Sequence, residues 1–185
     1  MLRINLYILL LFTSFSLMSQ EKKEYEKRIS KDSFPAEALE LLNPFLPNTK
    51  RLQFYQEFDG ESESFEAKFK IKRKWYSVEF FPNGNLQDIE MKVKLKELPD
   101  SLSQKISNYF KEQYDQWKIE KTQLQYKETS VLKKNFHKTD FTGVEIIVAT
   151  KTNGKLTKYE LNFDSEGNFV SKRKVVRRTY DFLLF

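Results

Sequence analysis

The chain has 185 residues, 39% apolar and 31% charged, with 17 Phe and 9 Tyr but only 5 Gly and 5 Pro. That length supports one well-cored domain and excludes two comfortable ones, and the scarcity of Gly and Pro excludes collagen-like or low-complexity character. The absence of Cys excludes a disulfide framework and an acylated-cysteine anchor, and a formal charge of +6 is weak support for polyanion binding.

Residues 1–20 read as a secretory signal: Arg3 gives a short positive start, Leu6 to Leu17 is an apolar run broken by Thr13, Ser14 and Ser16, and Glu21 turns the chain polar. The run is shorter than the roughly 20 residues a membrane-spanning helix needs, so the expected product is periplasmic or secreted, with no transmembrane span in the mature chain. An uncleaved anchor is the alternative, since Leu17 is a poor fit to a cleavage site. Residues 21–32 are charged and almost without apolar side chains, and read as a leader.

Folding is expected to begin with a helix at Ser33-Phe34-Pro35, where Ala38, Leu41 and Leu42 share a face and Asn43-Pro44 stops it. Strands follow at Lys50–Phe58, Ser64–Ile71, Trp75–Phe81 and Leu86–Val93. In the second of these Phe65, Ala67, Phe69 and Ile71 alternate with Glu66, Lys68, Lys70 and Lys72, as in an antiparallel strand with one buried face. Leu98-Pro99 restarts the scheme with a longer helix carrying Leu102, Ile106, Tyr109 or Phe110, and Tyr114 at helical spacing. Strands are expected again at Lys118–Tyr126, Gly143–Thr150, Leu156–Phe163 and Phe169–Val176, with a polar insert at 127–142.

The two halves echo each other. Tyr76, Val78, Phe80, Gly84, Asn85, Leu86 and Val93 are answered 83 residues later by Tyr159, Leu161, Phe163, Gly167, Asn168, Phe169 and Val176. The pattern implies an α+β fold of two helix-plus-four-strand repeats (33–93 and 98–176), giving an eight-stranded antiparallel sheet with both helices on one face. The tail Phe182-Leu183-Leu184-Phe185 is too apolar to float free and is expected to pack on the domain 33–185.

Catalytic motifs are hard to find. His137 is the only histidine and sits among Lys133, Lys134 and Lys138, too poor a set for zinc and more simply a solvated residue. No Gly-x-Ser-x-Gly elbow or Gly-rich phosphate cradle occurs, and no cofactor is implied. Asp164-Ser165-Glu166-Gly167-Asn168 lacks the later oxygen ligands of a calcium loop and reads as a strand turn, echoing Asn83-Gly84-Asn85. The remaining candidate is a cationic, aromatic-dotted sheet face formed by Lys68, Lys70, Lys72, Arg73, Lys74, Trp75, Lys172 and Lys174, set against the plainer reading of solvated lysines that deter edge pairing.

The paired Phe-Pro and Leu-Pro helix starts, the paired aromatic-to-Gly-Asn hairpins and the helix-then-four-strands order resemble the PepSY-like proteins of the bacterial cell envelope. Across roughly Phe34 to Val176 that resemblance implies a fold similar to the β-lactamase-inhibitor proteins, and binding of a protein or peptide, inhibition included. The expected function is therefore a non-enzymatic envelope module that engages an unidentified protein or peptide through its sheet face and loops, with no specific nucleic acid as partner. A carrier holding a lipid or other apolar ligand between sheet and helices is the alternative, on the strength of the aromatic excess; an enzyme ranks third.

Overall fold

The computed structural model describes residues 21–22, 24–128 and 140–176, so the signal segment, His137 with most of the insert, and the apolar tail lie outside the described residues. The sheet begins where the charged leader was expected. Glu21–Lys22 (β1) and Glu24–Ile29 (β2) are strands, followed by helix α1 (Ala36–Leu42) and strands β3 (Lys50–Asp59), β4 (Ser62–Ile71), β5 (Lys74–Phe80) and β6 (Leu86–Val93). Helix α2 (Asp100–Gln113) then precedes β7 (Gln116–Tyr126), β8 (Gly143–Thr152), β9 (Lys155–Asp164) and β10 (Phe169–Val175).

The ten strands of the described residues form one sheet in the order β1-β10-β9-β8-β7-β6-β5-β4-β3-β2. The expectation of an α+β fold with eight strands and a helical layer is thereby corrected: 56% of the described residues are strand and 21% helical, and the sheet is a nearly closed barrel. Chain geometry explains the curl. The first strand pairs in parallel with β10 and the second antiparallel with β3, at opposite ends of the strand order. Lys22 and Glu24 are only two positions apart, so the two ends lie within about 7 Å of each other along the chain. Arg173 of β10 also reaches Asp59 of β3 across this seam, 2.7 Å from guanidinium to carboxylate. Register shifts near Arg51, Phe80, Ile119 and Val170 interrupt the ladders, as bulges do where strands bend.

Alternation along the strands sorts side chains into two buried sets. Phe69, Val78, Phe80, Ile89, Leu124, Ile146, Leu161 and Phe163 pack outside the barrel with Ala38 and Leu42 of α1 and Leu102, Ile106 and Phe110 of α2. Most of the aromatic excess is spent here, in ring contacts such as Phe34 on Phe54 at 4.7 Å and Tyr109 on Phe163 at 5.3 Å. The alternate residues face the barrel interior, and they are polar or charged.

Each long hairpin turn braces its own helix. The Asn83-Gly84-Asn85 turn closes with Phe81 N–H donating to Asn85 O at 2.9 Å, and Gly84 has φ +80°. A Cβ there would sit 2.7 Å from Glu37 Cβ and 3.2 Å from the Ala38 nitrogen, whereas one on Gly60 (φ +66°) would meet nothing. Gly167 is placed alike, against Leu102 of α2. Gly84→Ala should therefore cost more than the roughly 1 kcal/mol expected for the left-handed strain shared with Gly60→Ala. Urea unfolding of the two variants checks this, and equal losses would show that contact with α1 contributes nothing.

Candidate functional site

A polar interior follows directly from the charged alternations. Within β4, Glu66 and Lys68 flank the buried Ala67; within β6, Asp88 and Glu90 flank Ile89; Glu145 and Glu160 sit likewise between Val144 and Ile146 and beside Leu161. Because the sheet closes on itself, these side chains converge instead of pointing into open water. Asp88, Glu90, Glu145 and Glu160 line a cavity of about 520 Å³ to which each of the ten described strands or its end contributes, while Glu66 and Lys68 border a second space. Its wall includes Glu24, Glu57, Asp59, Glu63, Glu79, Asp88, Glu90, Glu145 and Glu160, and among the described residues Lys22 and Arg173 are its only cations.

Charge changes sign along the barrel axis. On β5, Glu79 and Phe81 at its end border the acidic cavity, while Trp75, Tyr76 and Ser77 border a second cavity of about 320 Å³. On β6 the corresponding change is from Asp88 and Glu90 to Lys92. Lys68, Lys92 and Lys121 make the second opening basic.

Three ammonium groups show how the interior neutralises part of its charge. Lys22 Nζ lies 2.5 Å from Glu160 and 3.2 Å from Glu24, and Arg173 donates to the other Glu160 oxygen from 2.7 and 2.9 Å. Burial raises the Glu160 carboxyl, but Lys22 and Arg173 outweigh it and hold the group below the usual carboxylate range. Lys68 Nζ sits among three glutamates, 2.8 Å from Glu26, 2.6 Å from Glu66 and 3.7 Å from Glu57. Ser77 also donates to Glu66. Lys127 reaches Asp88 at 3.2 Å.

Four other acids are raised above the ordinary carboxylate range by their surroundings. Burial first, then its neighbour Glu66, pushes Glu57 up to about 12. Burial and Asp88 raise Glu79 to about 8, and burial and Glu160 raise Glu145 to about 7. Glu90 is raised well above its ordinary value by burial and by Glu145, while Gln123 donates to it.

The eight sequence-proposed residues are not brought together. Lys68 and Trp75 border the basic opening, and Lys70 stands over the Trp75 ring at 4.5 Å. Lys72 and Arg73 form the exposed β4–β5 turn with φ of +46° and +70°, and Lys74 pairs with Glu97 at 2.6 Å. Lys172 and Lys174 are register partners of Leu161 and Tyr159, on the side of the sheet opposite Arg173; Lys172 covers Tyr159 and Lys174 reaches Glu21. The Asp164 turn is built from its own hydrogen bonds: the carboxylate accepts from Glu166 N–H, Asn168 N–H and Asn168 Nδ2, and these hold it below its ordinary value.

No protein-family model matches this sequence, and no curated protein matches it either. Solved structures do. A DUF2874 family protein from Bacteroides ovatus is 15% identical with a TM-score of 0.54, over 77% of this chain and 89% of that one. A protein ascribed to the periplasm, from Bacteroides eggerthii, is 10% identical with a TM-score of 0.53, over 76% and 88%. A BLIP-like protein from Bacteroides fragilis is 16% identical with a TM-score of 0.48, over 76% and 86%. At such identities the likeness concerns architecture: this chain has the fold of DUF2874 family proteins.

Proposed function

We propose that this chain is an exported, non-enzymatic binding protein of the bacterial periplasm, PepSY-like in kind, which engages a protein or peptide partner at the acidic opening of its barrel. The observation that carries this reading is the cavity wall, where among the described residues nine carboxylic side chains face two cations in a protein whose formal charge is +6. A negative recess in a positive protein attracts cationic groups to one place and repels them elsewhere. Export is supported by the signal-like residues 1–20 and by the periplasmic ascription of the Bacteroides eggerthii protein that shares the fold. The apolar-carrier alternative loses its motive, because the aromatic rings that suggested it pack against one another between sheet and helices.

Ser64 lines the cavity without taking part in any ion pair, so Ser64→Trp places a large ring in the recess and leaves its charges alone. Immobilised mature protein should retain a partner from periplasmic extract of its own host. The Ser64→Trp variant should retain at least about tenfold less at unchanged Tm, the equivalent of one lost charge-assisted hydrogen bond. Equal retention by both proteins would place the binding surface elsewhere and sink the proposal.

A further inference from the structure

The cavity contains carboxylates that the protein itself leaves unmatched. Glu145 is only 7% exposed, borders the cavity, and among the described residues accepts no hydrogen bond and forms no ion pair. Glu79 borders the same space and is equally without either kind of partner. Asp88, 7% exposed, uses one oxygen for Lys127 and leaves Oδ1 buried with no donor. Burying such groups costs free energy unless something pairs with them, so Glu145 and Asp88, with the half-buried Glu79 beside the same space, mark where a ligand's donors belong.

Resting on the reading above, we infer that the cavity is a binding site for alkylammonium groups, with Glu145, Glu79 and Asp88 as their acceptors. The interior supplies the precedent, since its carboxylates already hold the ammonium groups of Lys22, Lys68 and Lys127 at 2.5 to 3.2 Å. A metal ion fits less well. It needs several oxygens converging on one point at about 2.0–2.6 Å. Among the described residues the one trio with converging oxygens is Glu26, Glu57 and Glu66, and the Lys68 ammonium occupies it. A space of about 520 Å³ instead lies within the range of sites for organic ligands. Several acceptors spread over its wall suit a chain with more than one ammonium group, which a free polyamine or the lysines of a peptide partner supply equally.

Calorimetric titration of the full mature chain with spermidine, with trilysine and with magnesium chloride distinguishes these possibilities. Saturable binding of either amine is expected, and which one binds more tightly identifies the source. Glu145→Gln should weaken that binding by at least about tenfold, the loss of a charge-assisted contact. It should also leave the Tm of the ligand-free protein unchanged or higher, because an unmatched buried acid has been removed. That split between affinity and stability is one a merely structural residue does not show. Absence of amine binding, unaltered affinity in Glu145→Gln, or magnesium binding more tightly than both amines would each overturn the inference. If amines fail to bind while partner capture remains sensitive to Ser64→Trp, the ligand class is wrong and the binding-protein reading stands.

Discussion

Stability should be greatest near pH 5 and should fall by several kcal/mol by pH 9, at about 1.4 kcal/mol for each unit of carboxyl shift. The sign follows from the raised interior acids. Glu145 at about 7, Glu79 at about 8 and Glu57 at about 12 all bind protons more tightly folded than unfolded. Their contribution is fully present below the unfolded value of about 4.3 and is lost as pH rises through 7 and 8 for the first two, leaving Glu57 protonated throughout. The charged groups facing Glu145 are Glu160, Lys22, Lys121 and Asp88, and those facing Glu79 are Asp88, Glu66, Lys22 and Glu24. Glu160 and Glu26 act in the opposite sense, because lysine or arginine holds both below the ordinary value. What they contribute is present above about 4.3 and disappears on acidification, which sets the acid side of the maximum. Urea midpoints at pH 5, 7 and 9 measure the slope. A flat profile, or one rising toward pH 9, would show that the cavity acids are ionised and solvated.

Lys68→Met should be the most damaging single substitution of a sheet lysine, destabilising the protein by about 3–5 kcal/mol at pH 8, as loss of one partner from a buried ionic cluster does. An exposed β-sheet lysine would cost well under 1 kcal/mol. Burial lowers the Lys68 ammonium, but Glu66 and Glu26 more than reverse this, so it remains charged. Its removal leaves Glu26, Glu57 and Glu66 sharing one corner with no cation within 4 Å of the trio among the described residues. The loss should shrink at pH 5, where the abandoned carboxyl groups take up protons. A loss under 1 kcal/mol at pH 8, measured by urea unfolding, would return Lys68 to the solvated face that the sequence suggested.

That contrast shows where sequence reading reached its limit. The strands from β3 to β10 were legible to within a few residues at each end, because their apolar residues alternate toward a packed core. Both helix starts were legible from Phe34-Pro35 and Leu98-Pro99. The first two strands were not, since Glu24, Glu26 and Arg28 share a side with Asp59, Glu57 and Tyr55 and face a charged interior. A strand covering such an interior needs no apolar row, so its charge imitated a leader. The cavity escaped for a related reason. Glu66-Ala67-Lys68 alternates identically whether the polar row meets water or the far wall of a barrel, and only closure of the sheet decides which. A usable signal was present nonetheless: Glu66 precedes Lys68 and Lys70 on β4, and Asp88 and Glu90 precede Lys92 on β6, in strands that run in the same direction. Segregation of acids and bases along strands is not what a uniformly solvated face requires.

The seam between the first two strands has a consequence for the order of assembly. Glu21 and Lys22 pair with Lys174 and Val175, near the far end of the chain. A polypeptide delivered N-terminus first therefore presents its closing strand at the outset and must wait for the final hairpin before using it. Such distant pairing is entropically late, so the cavity should be completed after the helices have docked on their own hairpins. Opening should run the same course backwards: with few residues holding it, β1 is the natural point of release. Hydrogen–deuterium exchange would see it as early labelling of residues 21–29 and 171–175, where the two edges of the sheet meet.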